Sequence, residues 1–146
     1  MRLGWLIILA LFALPIVSQA QCKGFTRKKC MPLLAPYISN GQVNSVVMFE
    51  GDSASLKMTF YSEQSYRMIV CSQQIFDGGV YFKVRDSDKK LLYNSADNEM
   101  QTTWDFQVNS TQDLWVDVFA PQPEESSIEI TNSACVTLAV GIGTGD

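Results

Sequence analysis

Ala54-Ser55-Leu56-Lys57-Met58-Thr59-Phe60-Tyr61 puts apolar side chains at 54, 56, 58 and 60 and polar or amphipathic ones between them. A period of two sends successive side chains to opposite faces of an extended chain, so this stretch predicts a half-buried β-strand. The same period recurs on both sides of it. Upstream, Val43 to Glu50 is a mostly apolar run that ends at Gly51-Asp52-Ser53. Downstream, Tyr66, Met68 and Val70 share one face, and Val80, Phe82 and Val84 alternate with Tyr81, Lys83 and Arg85. Leu91-Leu92-Tyr93 is a short strand. Trp104, Phe106 and Val108 alternate with Thr103, Asp105 and Gln107, Leu114, Val116 and Val118 share a face, and Ala134 to Ile142 is a last apolar run. Turn-forming clusters at Asp77-Gly78-Gly79, Asp86-Ser87-Asp88-Lys89 and Asn109 to Gln112 separate these runs. Eight short strands without alternating helices predict an all-β fold, an eight-stranded antiparallel β-sandwich or jelly-roll-like domain.

The stretch before the strands differs. Gly24 to Cys30 fits two helical turns with Phe25 facing inward, and Pro32 and Pro36 stop any longer helix. Asn40-Gly41 reads as a turn that closes this segment. The expected organisation is a signal peptide at 1–20, a short N-terminal helical cap at 21–41 and a β-sandwich domain at 42–146. The signal reading rests on Arg2, the apolar run Leu3 to Val17 and the small residues Ser18 and Ala20. That run is shorter than the ~20 residues a spanning helix needs. Cleavage at Ala20-Gln21 would leave a mature chain with no transmembrane segment, secreted or in the periplasm or cell envelope. Gln21 stands before Cys22 where a lipoprotein signal needs a small residue, which argues against a lipid anchor.

The formal charge of −4 becomes −5 once Arg2 is lost. That acidity argues against nucleic acid as a partner, because phosphates need a basic footprint. Lys23, Arg27, Lys28 and Lys29 form a basic cluster that reads as a solvated face. Cys22, Cys30, Cys71 and Cys135 are an even set in an exported chain and predict two disulfides. Of three pairings, sequence proximity favours Cys22–Cys30 with Cys71–Cys135. The longer loop would then contribute ~4 kcal/mol and the shorter ~2.5 kcal/mol in the chain-entropy model. No C-x-x-C and no histidine occur, so zinc is not expected, nor is any other metal or cofactor.

The absence of histidine removes Ser-His-Asp and Cys-His catalysis. Ser53, Ser55 and Ser72 have no general base in view. Glu50 with Asp52, Asp86 with Asp88, and Asp105 with Asp117 are the carboxylate pairs open to glycoside-type hydrolysis. Asp86-Ser87-Asp88 is followed by Lys89 and Lys90 where a calcium loop needs ligands, and reads as a polar turn. Asn109-Ser110-Thr111 is a formal glycosylation sequon, and the glycine-bearing tail from Gly141 reads as a frayed end. If Val80, Phe82, Val84, Leu114, Val116 and Val118 face inward, then Tyr81, Trp115 and Phe119 face outward. Exposed rings are what glycan- and protein-binding surfaces use. The competing expectation is that the cap residues Phe25, Leu33, Leu34 and Tyr37 cover them.

Val80 to Ser95, an alternating strand, a polar turn and a Leu-rich strand, resembles the central hairpin of bacterial pre-peptidase C-terminal (PPC-like) sandwich domains, and Leu114 to Val118 fits their penultimate strand. The whole mature chain also resembles a family of small, uncharacterised secreted bacterial proteins. The matching features are Cys22 with Cys30, Asn40 to Ser45, Tyr66-Arg67, Val70-Cys71, Trp104-Asp105-Phe106 and Cys135-Val136. The PPC resemblance implies a non-catalytic appendage. The functional expectation is a secreted or envelope binding module, not an enzyme, that recognises a glycan or a protein through Tyr81, Trp115 and Phe119. A structural accessory subunit is the alternative, and a carboxylate hydrolase the third.

Overall fold

The structure, a computed structural model, describes residues 18–76, 78–122 and 132–144. Among these residues eight strands follow one another: Ile38–Phe49 (β1), Ser53–Phe60 (β2), Gln64–Ser72 (β3), Tyr81–Arg85 (β4), Leu91–Asn94 (β5), Thr103–Val108 (β6), Gln112–Phe119 (β7) and Ser133–Ile142 (β8). They form two four-stranded antiparallel sheets, ordered β1-β8-β3-β6 and β2-β7-β4-β5. First pairs with eighth, second with seventh, third with sixth and fourth with fifth. The chain is therefore one long antiparallel ribbon folded at the β4–β5 hairpin and rolled up, closed by β3 on β8 and β4 on β7. That is the jelly-roll form of the sandwich.

The alternation in sequence fills the space between the sheets. Met58, Phe60, Phe82, Val84, Leu114, Val116 and Val118 of one sheet meet Tyr66, Met68, Val70, Val136, Leu138 and Val140 of the other. Tyr66 keeps its phenol satisfied in this core by accepting from the Tyr61 amide at 2.9 Å. On the β5/β6 side, Tyr93 stacks on Trp104 at 4.9 Å and Trp104 on Phe106 at 4.2 Å. Tyr93 and Trp104 belong to different sheets, so this stack seals that side. Trp104 faces inward as its strand pattern predicts, but it is only half-buried because β6 is an edge strand.

A helix, Ser18–Phe25 (α1), widens into a π-helical turn over Thr26–Cys30 and tightens into a 3-10 turn over Met31–Leu34. This cap lies on the outer face of the β1-β8-β3-β6 sheet. Cys30, Leu34, Ile69, Cys71 and Ala139 form a second buried cluster there, with Phe25 and Met31 against it. Thr26 bonds across to Thr137 at 2.7 Å. Asn40-Gly41 does not close the cap; it lies inside β1 where the register with β8 shifts.

The favoured cysteine pairing is overturned. Cys22 is bonded to Cys135 and Cys30 to Cys71. Cys22 and Cys30 sit eight residues apart on a helical segment, about 12 Å along its axis. A disulfide bridges Cα atoms at most ~7 Å apart, so the two cannot meet while the helix stands. Cys71 and Cys135 project from neighbouring strands toward the cap, and each takes a cap cysteine. Both bonds tie cap to sheet. With sequence separations of 41 and 113, both bonds close long loops and neither is the weak short-loop bond expected. The chain-entropy model gives about 4 and about 5 kcal/mol.

Two further contacts hold the cap. Arg67 on β3 pairs with both carboxylate oxygens of Asp105 at 2.7 Å and donates to the Ala35 carbonyl at 2.6 Å. Gly141 is not part of a frayed tail: it lies buried in β8, and a Cβ there would stand 2.8 Å from the Tyr37 Cβ.

Non-reducing peptide mapping should join Cys22 to Cys135 and Cys30 to Cys71, and a Cys22–Cys30 peptide would contradict this placement of the cap. Replacing either bonded pair by serine should cost about 2–5 kcal/mol, the two values lying within about 1 kcal/mol. Gly141→Ala should cost about 1–3 kcal/mol in chemical denaturation, because overpacking at Tyr37 pushes the cap off the sheet.

Candidate functional site

The cap covers one sheet, and the outer face of the other is left to solvent among the described residues. Its side chains come from the odd positions of β2, β7 and β4, the complement of the core set. Strand register arranges them in rows: Tyr81 beside Phe119 and Ser53, Lys83 beside Asp117 and Ser55, Arg85 beside Trp115 and Lys57, and Asp113 beside Thr59. All three aromatic residues expected to face outward do so. Leu114 and Val116 are buried on either side of half-buried Trp115, which confirms the register read from the sequence. Phe25, Leu34 and Tyr37 pack on the opposite sheet and do not cover these rings.

The rings do not form one continuous patch. Tyr81 and Phe119 stack on each other at 4.9 Å with planes 13° apart, and the Lys83 amine lies 5.9 and 5.5 Å from their centres. Trp115 is four residues from Phe119 along β7, about 13 Å away. The row between them is charged.

Asp117 organises that row. It is 9% exposed, and its carboxylate takes a bidentate pair from Arg85 at 2.6 and 2.9 Å and a hydrogen bond from the Ser55 hydroxyl. The hydrogen bond from Arg85 is the main reason its pKa lies below the usual carboxylate range, against the opposing effect of burial. At the far end, Asp113 is lowered first by its bond from Thr59 at 2.7 Å, then by Lys57 at 2.9 Å. Arg85 and Lys83 were not singled out in the sequence, and Asp117 was read there only as a carboxylate paired with Asp105. Their signal was present: they alternate with core residues on β4 and β7, and only the adjacency of those two strands brings them together.

In each carboxylate pair considered for hydrolysis at least one member is otherwise engaged. Glu50 accepts from Asn132, and Asp52 accepts from the Phe49 amide. Asp86 accepts from the amides of Asp88 and Lys90, so its carboxylate closes the polar turn. Asp105 and Asp117 lie on the outer faces of opposite sheets, each in an arginine fork. No group of three or more Cys, Asp or Glu among the described residues is placed to hold a metal ion. No described helix is long and apolar enough to cross a membrane. Asn109 is exposed in the turn between β6 and β7, where Thr111 accepts from the Ser62 amide at 3.1 Å.

The chain matches no protein-family model and no curated relative. Among solved structures it is similar to Aeromonas hydrophila PliG, a periplasmic lysozyme inhibitor of g-type lysozyme. The identity is 12%, the TM-score 0.49, and the match covers 74% of this chain and 89% of that one.

The Asp117 pair sets a pH dependence. A carboxylate whose folded pKa is depressed contributes stability that is present above its unfolded pKa, near 3.9, and is lost as pH falls through the lower folded value. Stability of the wild-type protein should therefore drop below about pH 4, and Asp117→Asn should flatten that drop in urea titrations at stepped pH. An unchanged acid limb in Asp117→Asn would show that the pair is not formed.

Proposed function

We propose that this protein is a non-catalytic protein-binding module that acts outside the cytoplasm and engages its partner through the outer face of the β2-β7-β4-β5 sheet. The observation that carries the reading is the Arg85–Asp117 fork set between Trp115 and the Tyr81–Phe119 pair, on the face the cap leaves bare. Trp, Tyr and Arg are the residues that most often anchor protein interfaces, because they combine large contact area with directed hydrogen bonds. The salt bridge holds Arg85 in place, so little side-chain entropy is lost on binding.

A protein partner suits this surface better than a sugar. Sugar binding uses a free ring face, and the stack takes one face of Tyr81 and one of Phe119, which reduces the ring surface open to a sugar. Of the carboxylates considered for hydrolysis, Glu50, Asp52, Asp86, Asp105 and Asp117 serve as structural acceptors, which supports a non-enzymatic role. Two disulfides and the signal-like leader support an extracytoplasmic location. The sequence resemblance to PPC-like domains, which are non-catalytic, points the same way.

The test is affinity capture from the extracytoplasmic fraction of the producing cell, run in parallel with wild type, Trp115→Ala and the cap variant Lys28→Ala, with a glycan array beside it. Wild type and Lys28→Ala should retain the same protein. Trp115→Ala should bind it at least about 30-fold more weakly, the loss of one hot spot of about 2 kcal/mol, while its fold is kept. A partner held equally by Trp115→Ala would overturn the assigned face. A glycan signal that Trp115→Ala abolishes would replace the protein partner with a sugar.

A further inference from the structure

The aromatic stack that seals the β5/β6 side of the sandwich has no counterpart on the opposite side, between the edge strands β1 and β2. A cleft of about 480 Å³ opens there, and Val46, Met48, Leu56, Val116, Val136 and Leu138 line it. Val46 pairs in register with the core residue Val136 and so points between the sheets, yet it is 51% exposed. Beside the cleft, the outer edge of β1 pairs with no strand among the described residues; at its end the Phe49 amide donates to the Asp52 carboxylate at 2.9 Å and the Phe49 carbonyl accepts from the Asp52 amide at 3.0 Å.

Natural sheets blunt such edges with charge, proline, brevity or bulges. The other three edge strands conform: β5 has four residues, β6 carries Asp105 and β2 carries Lys57. In β1 the bulge falls in the first half only. From Val43 to Phe49 the strand runs in unbroken register with β8 and contains no charged residue and no proline. Val43, Val47 and Phe49 are 37%, 37% and 49% exposed. A seven-residue, uncharged, β-branched edge over an open apolar cleft is a strand template.

We propose that this edge pairs with a second copy of itself, β1 antiparallel to β1 across a two-fold axis at Val46. The lining carries no charge, so the strand that covers it must be extended and uncharged. Val43 to Phe49 is itself such a strand. With Val46 on the axis, Val43 faces Phe49 of the partner subunit, Asn44 faces its Met48 and Ser45 faces its Val47, so no like charges oppose each other within the strand pair, and Lys23 of the cap flanks the edge beside Val43, Val46 and Val47. Elsewhere the net negative charge of the chain works against self-contact. The pairing is isologous and closes at two copies. It joins the two β1-β8-β3-β6 sheets into one, both Val46 side chains covering the clefts, and leaves the Trp115 face of each copy free.

The experiment is sedimentation velocity on the mature protein over a concentration series, with Val46→Lys, Val46→Cys and Trp115→Ala alongside. Wild type and Trp115→Ala should show the same concentration-dependent dimer. Val46→Lys places two ammonium groups against each other at the axis and should weaken the dimer at least about tenfold, with an unchanged circular dichroism spectrum. Val46→Cys should form a covalent dimer on mild oxidation, linked at position 46 by mass spectrometry. If the lysine variant does not fold, the cysteine cross-link decides. A wild type that stays monomeric at the highest concentration, a dimer that Val46→Lys leaves intact, or a Val46→Cys protein that does not cross-link would each overturn the proposal.

Discussion

Two disulfides that run from the cap to the β1-β8-β3-β6 sheet decide which surfaces of this molecule remain free. Because Cys22 reaches Cys135 on β8 and Cys30 reaches Cys71 on β3, the cap cannot slide or leave as a unit. It buries Leu34, Ile69 and Ala139 beneath it, and Arg67 holds its far end by the Ala35 carbonyl. The central strands of that sheet, β8 and β3, are therefore covered on both faces, which is why β8 reads as an almost continuous apolar run. In the other sheet, with one face on the core and one on solvent, β2, β4 and β7 keep the alternation. The difference in pattern between the two sheets is a direct consequence of where the cap is tied.

The same division governs electrostatics. Each arginine on a strand is matched to an aspartate on its neighbour: Arg67 to Asp105 on the capped sheet and Arg85 to Asp117 on the open one. The first fork spends its remaining donors on the cap. The second lies among Trp115, Lys83 and the Tyr81–Phe119 pair, with no cap residue above it. Two similar pairs thus have different consequences, one structural and one presenting a fixed charged surface between aromatic groups.

Much of this was legible in the sequence, because a period of two maps directly onto the two faces of a strand. The alternation on β2, β4, β6 and β7 placed Met58, Phe82, Phe106 and Val116 inward and Trp115 outward. Contacts set by three-dimensional approach were not legible. The cysteine pairing depends on the direction of the cap helix, which no periodicity encodes. Gly141 looks like a loose tail until Tyr37 is seen resting on it, and Asn40-Gly41 has turn chemistry yet serves as a bulge, where Gly41 takes a φ of +86°. Arg85 and Asp117 are 32 residues apart, and only the β4–β7 pairing makes them neighbours.

The central claim is that the bare face of the β2-β7-β4-β5 sheet, and not the capped one, meets a partner. Site-specific photo-crosslinking measures this most directly, with a benzophenone side chain placed at Lys57 or Thr59 on the bare face and at Lys28 or Leu33 on the cap. Proteins with these probes, irradiated in the extracytoplasmic environment of the producing cell, should give a discrete protein adduct from positions 57 and 59 and none from 28 and 33. The same adduct arising from the cap positions alone would contradict the account.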